Sequence, residues 1–257
     1  MIEDAIGYPL EGEETENILL VGGLLGLASG VMYAILLVIG FFTFGFGLIF
    51  LPLAFVPTIG ILGYYVRVLD STVAGDPAPP AFDDLGRAFK DGLVATALSF
   101  VYFLVPTVLF VAVALFGGLL GGVVGGDGGG TLGLLFILLG FGVATLLSLG
   151  LAYVYPAALT RYAVTDDVAA AFAVGALGET LASADYLVAW LFGLVILFVG
   201  GFVATLVGFI PFVGLVVAPV IQFIAAISAY RAWGLAYLAG TEASSGATDG
   251  PDVGATV

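Results

Sequence analysis

Residues 17–66 read NILLVGGLLGLASGVMYAILLVIGFFTFGFGLIFLPLAFVPTIGILGYYV, fifty consecutive positions without an Asp, Glu, Lys or Arg. An α-helix rises about 1.5 Å per residue, so roughly 20 apolar residues cross about 30 Å of hydrocarbon. This run therefore holds two crossings. Residues 186–230 hold two more, and 92–126 and 128–160 hold one long or tilted crossing each, giving six. A transmembrane barrel would show segments of about ten residues with alternating polarity. These runs are continuous Leu, Val, Phe, Gly and Ala. The expected fold class is all-α: a polytopic membrane helical bundle of about six transmembrane helices plus two interfacial amphipathic helices.

Composition agrees. The chain of 257 residues is 61% hydrophobic, with a mean hydropathy of +1.22, more apolar than a soluble domain of this length needs. It contains neither Cys nor His. That excludes disulfides and any zinc or haem site built on those ligands, and no cofactor is expected. Nineteen acidic residues against five basic ones give a net charge of −14. So acidic a chain cannot neutralise phosphates, which excludes nucleic acid, and it has no polybasic patch for anionic lipid. Acid excess with a single Lys suits a salt-rich cytoplasm, where the Debye length shrinks to about 3 Å at 1 M. The composition points to a halophile.

The spans are placed at about Ile18–Ile39, Leu48–Leu69, Leu93–Phe116, Leu132–Ala157, Tyr186–Gly208 and Val213–Ala236. Arg67, Arg87, Lys90, Arg161 and Arg231 each lie at the inner end of an even-numbered span or in the loop after it, and the opposite loops carry only Asp127. Lys and Arg collect in cytoplasmic loops, so the chain reads as a multi-pass protein of the cell membrane with both termini cytoplasmic. The acidic N-terminus lacks the basic n-region of a signal peptide, and an uncleaved chain is expected. The organisation is an acidic cytoplasmic N-terminal tail (1–17), a six-span membrane domain (18–239) and a disordered acidic C-terminal tail (240–257).

Gly22, Gly26, Gly30 and Ala34 form a small-residue stripe on span 1. It is either a dimerisation face or, the favoured reading, a packing face for a helix of the same chain. Pro52 and Pro57 are expected to bend or unwind the outer half of span 2. In the loop 70–91, Phe82, Leu85 and Phe89 share one helical face and Asp83, Asp84, Arg87, Lys90 and Asp91 the other. This reads as a helix lying in the interface, with Asp83 paired to Arg87 at i,i+4. Residues 165–185, with Phe172, Leu177 and Leu181, read as a second one. GGLLGGVVGGDGGGT (117–131) lacks the lysine and the strand-to-helix context of a phosphate loop and reads as a flexible outer turn.

The stretch GYYVRVLDSTVAGDPAPPAFDDLGRAFKDGL (63–93), with YPAALTRYA (155–163), ADYLVAW (184–190) and AYRAWGLAY (229–237), resembles a domain-of-unknown-function family of polytopic membrane proteins common in halophilic archaea. The resemblance implies a multi-span protein and brings no catalytic residues.

No ionisable residue stands at mid-span, and Gln222 is the only amide in any span. Proton pumps and intramembrane aspartyl or metal-dependent proteases need such groups, and serine chemistry needs a base. The expectation is therefore no enzyme, but a non-enzymatic membrane assembly or partner-binding protein. Its cytoplasmic docking motif would be Phe82, Asp83, Asp84, Arg87, Phe89 and Lys90. The partners considered are the lipid bilayer, a membrane or cytoplasmic protein and a second copy of the chain. The alternative is a transporter or channel for a small neutral or lipid-like solute, with Thr107, Thr145 and Gln222 lining a polar cavity. Gln222 is the candidate intramembrane polar contact, with helix packing as its first reading. The pairs Asp83/Asp84 and Asp166/Asp167 read as solvated surface ahead of a cation site.

Overall fold

A computed structural model describes residues 2–43, 45 and 49–248. Among the described residues the elements are α1 (Ile2–Gly7), α2 (Thr15–Phe42), α3 (Leu51–Ala74), α4 (Leu85–Val124), α5 (Gly126–Thr165), α6 (Val174–Ala182), α7 (Ala184–Gly208) and α8 (Val213–Thr248). Six of them, α2, α3, α4, α5, α7 and α8, are long and apolar enough to cross a membrane. The all-α, six-span class follows. The chain divides into two compact units, 1–96 with 156–257, and 97–155.

In the first unit α8 is the shared partner: α7 runs along it, and α2 and α3 pack against it. Glycines permit these approaches. A methyl at Gly22 would strike the Phe223 ring, at Gly23 Val220, at Gly193 the Trp233 indole and at Gly200 Ala225. The span 1 stripe is thus answered by α8 of the same chain, although nothing lies within 4 Å of a methyl placed on Gly30. The Trp233 indole N–H donates to the Trp190 carbonyl at 3.2 Å, a second tie between α7 and α8. α3 and α4 cross with backbones in contact. A methyl at Gly63 would collide with the Ala88 carbonyl, and one at Gly92 with that of Ile59.

The second unit is a hairpin of the later part of α4 and the early part of α5. The glycine-rich segment expected as a flexible turn is almost wholly helical. Only Gly125 (φ +67°) and Gly126 (φ +59°) make the reversal, in left-handed conformations that glycine adopts without penalty. The other glycines serve packing: Gly117 lies against Phe136, and Gly121 and Gly129 lie against each other's backbones. At 40 residues each, α4 and α5 are about 60 Å long, twice the hydrocarbon thickness. Helices that long tilt or protrude.

Several other expectations are corrected. Pro52 stands in the first turn of α3, where its missing N–H has no intrahelical partner to lose, so it starts the helix instead of bending it. Pro57 does lie inside α3. At the other end, Gly75 (φ +84°) closes α3 in a Schellman arrangement, with Gly75 N–H on Thr72 O and Asp76 N–H on Ser71 O. The first interfacial helix is not separate. Asp84 accepts from the Arg87 N–H at 2.9 Å and caps α4, which then runs without a break into span 3. The second is a 3₁₀ turn (Ala169–Phe172) followed by α6, whose Leu177 and Thr180 are buried. α6 packs on α8. Phe172 is 44% exposed and does not join that face.

The N-terminal segment is not a free tail. α1 and the following turn bury Ala5, Tyr8 and Pro9, because AIGYPL supplies apolar area that the acidic count concealed. The C-terminal segment is helical up to Thr248, continuing α8 beyond the span. Residues 249–257 lie outside the described residues.

Candidate functional site

The charged residues singled out in the loop 70–91 converge on the ends of α3, α4 and α5. Arg67, two turns before the end of α3, donates to Asp83 at 2.9 Å. Arg87 reaches Asp70 at 3.5 Å and Asp91 at 3.6 Å. Lys90 binds Asp166 with contacts of 2.7 and 3.0 Å. Asp91 is 4% exposed and accepts a hydrogen bond from the Tyr162 hydroxyl at 2.9 Å. Arg67, Asp70, Arg87, Asp91, Tyr162 and Asp166 surround a void of about 10 Å³, the space of about one water molecule.

The expected Asp83–Arg87 pair does not form. Asp83 precedes the first residue of α4, so the i,i+4 register does not apply to it, and it turns to Arg67 instead. That guanidinium holds the Asp83 carboxyl below its usual range, and Lys90 does the same for Asp166. Asp167 accepts from the Ala169 N–H at 2.9 Å. Each acid of the two pairs weighed as cation sites is thus engaged by a basic side chain or a backbone N–H.

Phe82 is buried, its ring stacked on Tyr64 at 4.2 Å and 4°. Phe89 is partly buried, and its ring is the nearest contact for a methyl on Gly60. Of the six residues read as a docking motif, Phe82 and Phe89 turn inward, while Asp83, Asp84, Arg87 and Lys90 form a clasp whose side chains remain exposed, and of the apolar face only Leu85 is exposed, at 52%. Tyr8 extends this clasp. Its hydroxyl meets Ser71 Oγ at 2.9 Å and donates to the Ala78 carbonyl at 3.1 Å, and its ring lies under the Arg231 guanidinium at 4.2 Å. Arg231 also donates to the Asp76 carbonyl at 3.0 Å. Tyr8 and Tyr162 were missed by the sequence reading. The usable signals were the apolar AIGYPL and the tyrosine directly after Arg161.

Gln222 occupies a different place. It is exposed and lines an open cleft of about 510 Å³ with residues of α2, α3, α7 and α8, among them Gly26, Tyr65, Thr205 and Phe223. Thr107 and Thr145 line a separate cavity of about 470 Å³ within the hairpin unit. The three residues do not share one cavity. Among the described residues no group of three or more carboxylates gathers in a way that could hold a metal.

Six helices long and apolar enough to cross a membrane define a multi-pass integral membrane protein. More narrowly, the chain belongs to the family described as Protein of unknown function (DUF4013), whose model matches residues 46–209. That match takes in the motifs at 63–93, 155–163 and 184–190 and stops short of 229–237. No curated protein and no solved structure matches the chain.

Proposed function

We propose that this protein is a non-enzymatic assembly component of the cell membrane of a halophile, with both termini cytoplasmic, and that partner helices sit on the α4–α5 hairpin. The observation that carries this reading is a small-residue face on α4 that the hairpin's own partner helix leaves open. A methyl on Gly118 or Gly122 would meet nothing within 4 Å, while Gly117 and Gly121, one position earlier, pack on α5. Small residues are what lets transmembrane helices associate closely. The charged residues of Phe82–Lys90 are taken up by pairs within the chain and its phenylalanines turn inward, which moves the proposed contact into the bilayer.

The test is purification in mild detergent at high salt, with mass spectrometry of what accompanies the chain. A stoichiometric protein partner, or a second copy, is expected for the wild type. It is lost on replacing Gly118 and Gly122 by Leu, and the thermal midpoint stays unchanged. A wild-type chain that comes away alone, or a partner retained by the double variant, overturns the reading. Recovery with a small molecule only favours the transport alternative, with liposome flux as its assay.

A further inference from the structure

We infer that the Gln222 cleft is a binding site for a neutral, lipid-like molecule carrying one hydroxyl or carbonyl group. Gln222 lies nine residues into α8, about 14 Å along the helix, near the middle of a bilayer about 30 Å thick. Among the described residues its amide has no hydrogen-bond partner. In hydrocarbon an amide has no water to turn to, so an unpaired one is costly and needs a partner. No described residue supplies one, and Gln222 lines the cleft of about 510 Å³.

The lining selects the ligand. It contains no charged residue, so a charged headgroup would go uncompensated at mid-membrane. Apart from Gln222, its hydroxyls are those of Thr205, which donates to the Gly201 carbonyl at 2.7 Å, and Tyr65. The remainder is apolar or small: Gly22, Gly26, Ile61, Ala204, Pro219 and Phe223. One amide beside such walls suits an aliphatic chain with a single uncharged donor or acceptor, drawn from the bilayer itself. The volume falls in the ordinary range of small-molecule sites, about 300–1,000 Å³.

The site lies in the first unit and is independent of the assembly reading, so loss of either leaves the other standing. The test uses the full chain in liposomes with a diazirine-bearing long-chain alcohol as photoprobe, and the labelled residues are mapped by mass spectrometry. Labelling is expected to concentrate at residues 201–205 and 218–223 and to be competed by unlabelled hexadecanol. It should fall about tenfold in Gln222→Leu, the weight of roughly one hydrogen bond. Gly201→Leu keeps the amide and fills the cleft, since a methyl there meets only Gln222 Oε1, at 3.5 Å. It should lose labelling as well, and both variants should keep the wild-type thermal midpoint. Label spread evenly over the lipid-facing helices, or either variant labelling like the wild type, overturns the site.

Discussion

The Tyr162 hydroxyl donates a hydrogen bond of 2.9 Å to the Asp91 carboxylate across 71 positions of sequence. Both residues are buried, and the bond fastens the start of α4 to the end of α5. It gives a buried carboxylate a neutral donor beside the half-exposed Arg87. Tyr162→Phe keeps the ring and removes the donor, so its expected cost is about 1–3 kcal/mol, the penalty of an under-satisfied buried group. The thermal midpoint in detergent reads this. A midpoint equal to wild type would show that the bond does not hold the two helices.

Glycine substitutions should split into two groups. Gly63→Ala and Gly92→Ala force α3 and α4 apart, because each methyl meets a backbone carbonyl that cannot rotate away. A loss of about 1–3 kcal/mol or more is expected. Gly118→Ala faces open space and should be neutral or slightly stabilising in the monomer, since it lowers the entropy of the unfolded chain. Parallel melting curves of the three variants test the contrast.

Acid should loosen the clasp within a defined window. The folded-state pKa values of Asp83 and Asp166 lie below the unfolded carboxyl value of about 3.9, the first through Arg67 and the second through Lys90. Groups of this sign stabilise fully above the unfolded value, and the contribution is lost as pH falls through the folded one. The midpoint should therefore hold between pH 7 and about 5 and decline below about 4. Asp83→Asn with Asp166→Asn should flatten that decline. Both carboxylates are exposed, so high salt should shrink the effect.

The N-terminal segment should act as a strap on the loop 75–84. Tyr8→Phe loses the contacts to Ser71 and Ala78 but keeps the ring under Arg231, whereas Tyr8→Ala loses both. Limited proteolysis within 75–84 should rise modestly in the first variant and strongly in the second. Equal cleavage in wild type and Tyr8→Ala would mean that the loop is held by other contacts.

Orientation has a direct readout. The chain contains no cysteine, so Asp127→Cys, at an exposed position beside the α4–α5 turn, gives a single label site. A membrane-impermeant maleimide should label it in intact cells. Labelling only after lysis would reverse the assignment of both termini.

Hydropathy and charge were sufficient for the number of spans, their approximate centres and the absence of mid-span charge. Crossing a bilayer depends on apolar length against a fixed thickness, a quantity summed along the chain. The same sum singled out Gln222 as the one amide in a span. Partners are another matter, since they depend on which helices become neighbours. The i,i+4 rule offered Arg87 to Asp83, but Asp84 took the cap of α4, leaving Asp83 outside the helix and facing Arg67. The small stripe of span 1 allowed a second copy or the same chain, and Phe223 and Pro219 of α8, against Gly22 and Gly26, decided for the chain. Phe82 looked like an exposed anchor until Tyr64 covered it. Tyr8 was hidden in an acidic segment because its partners lie 63 and 70 positions away. Local sequence carries propensity and bilayer length, but a contact between distant positions exists only once the helices have packed, and packing alone decided what each charge and ring would touch.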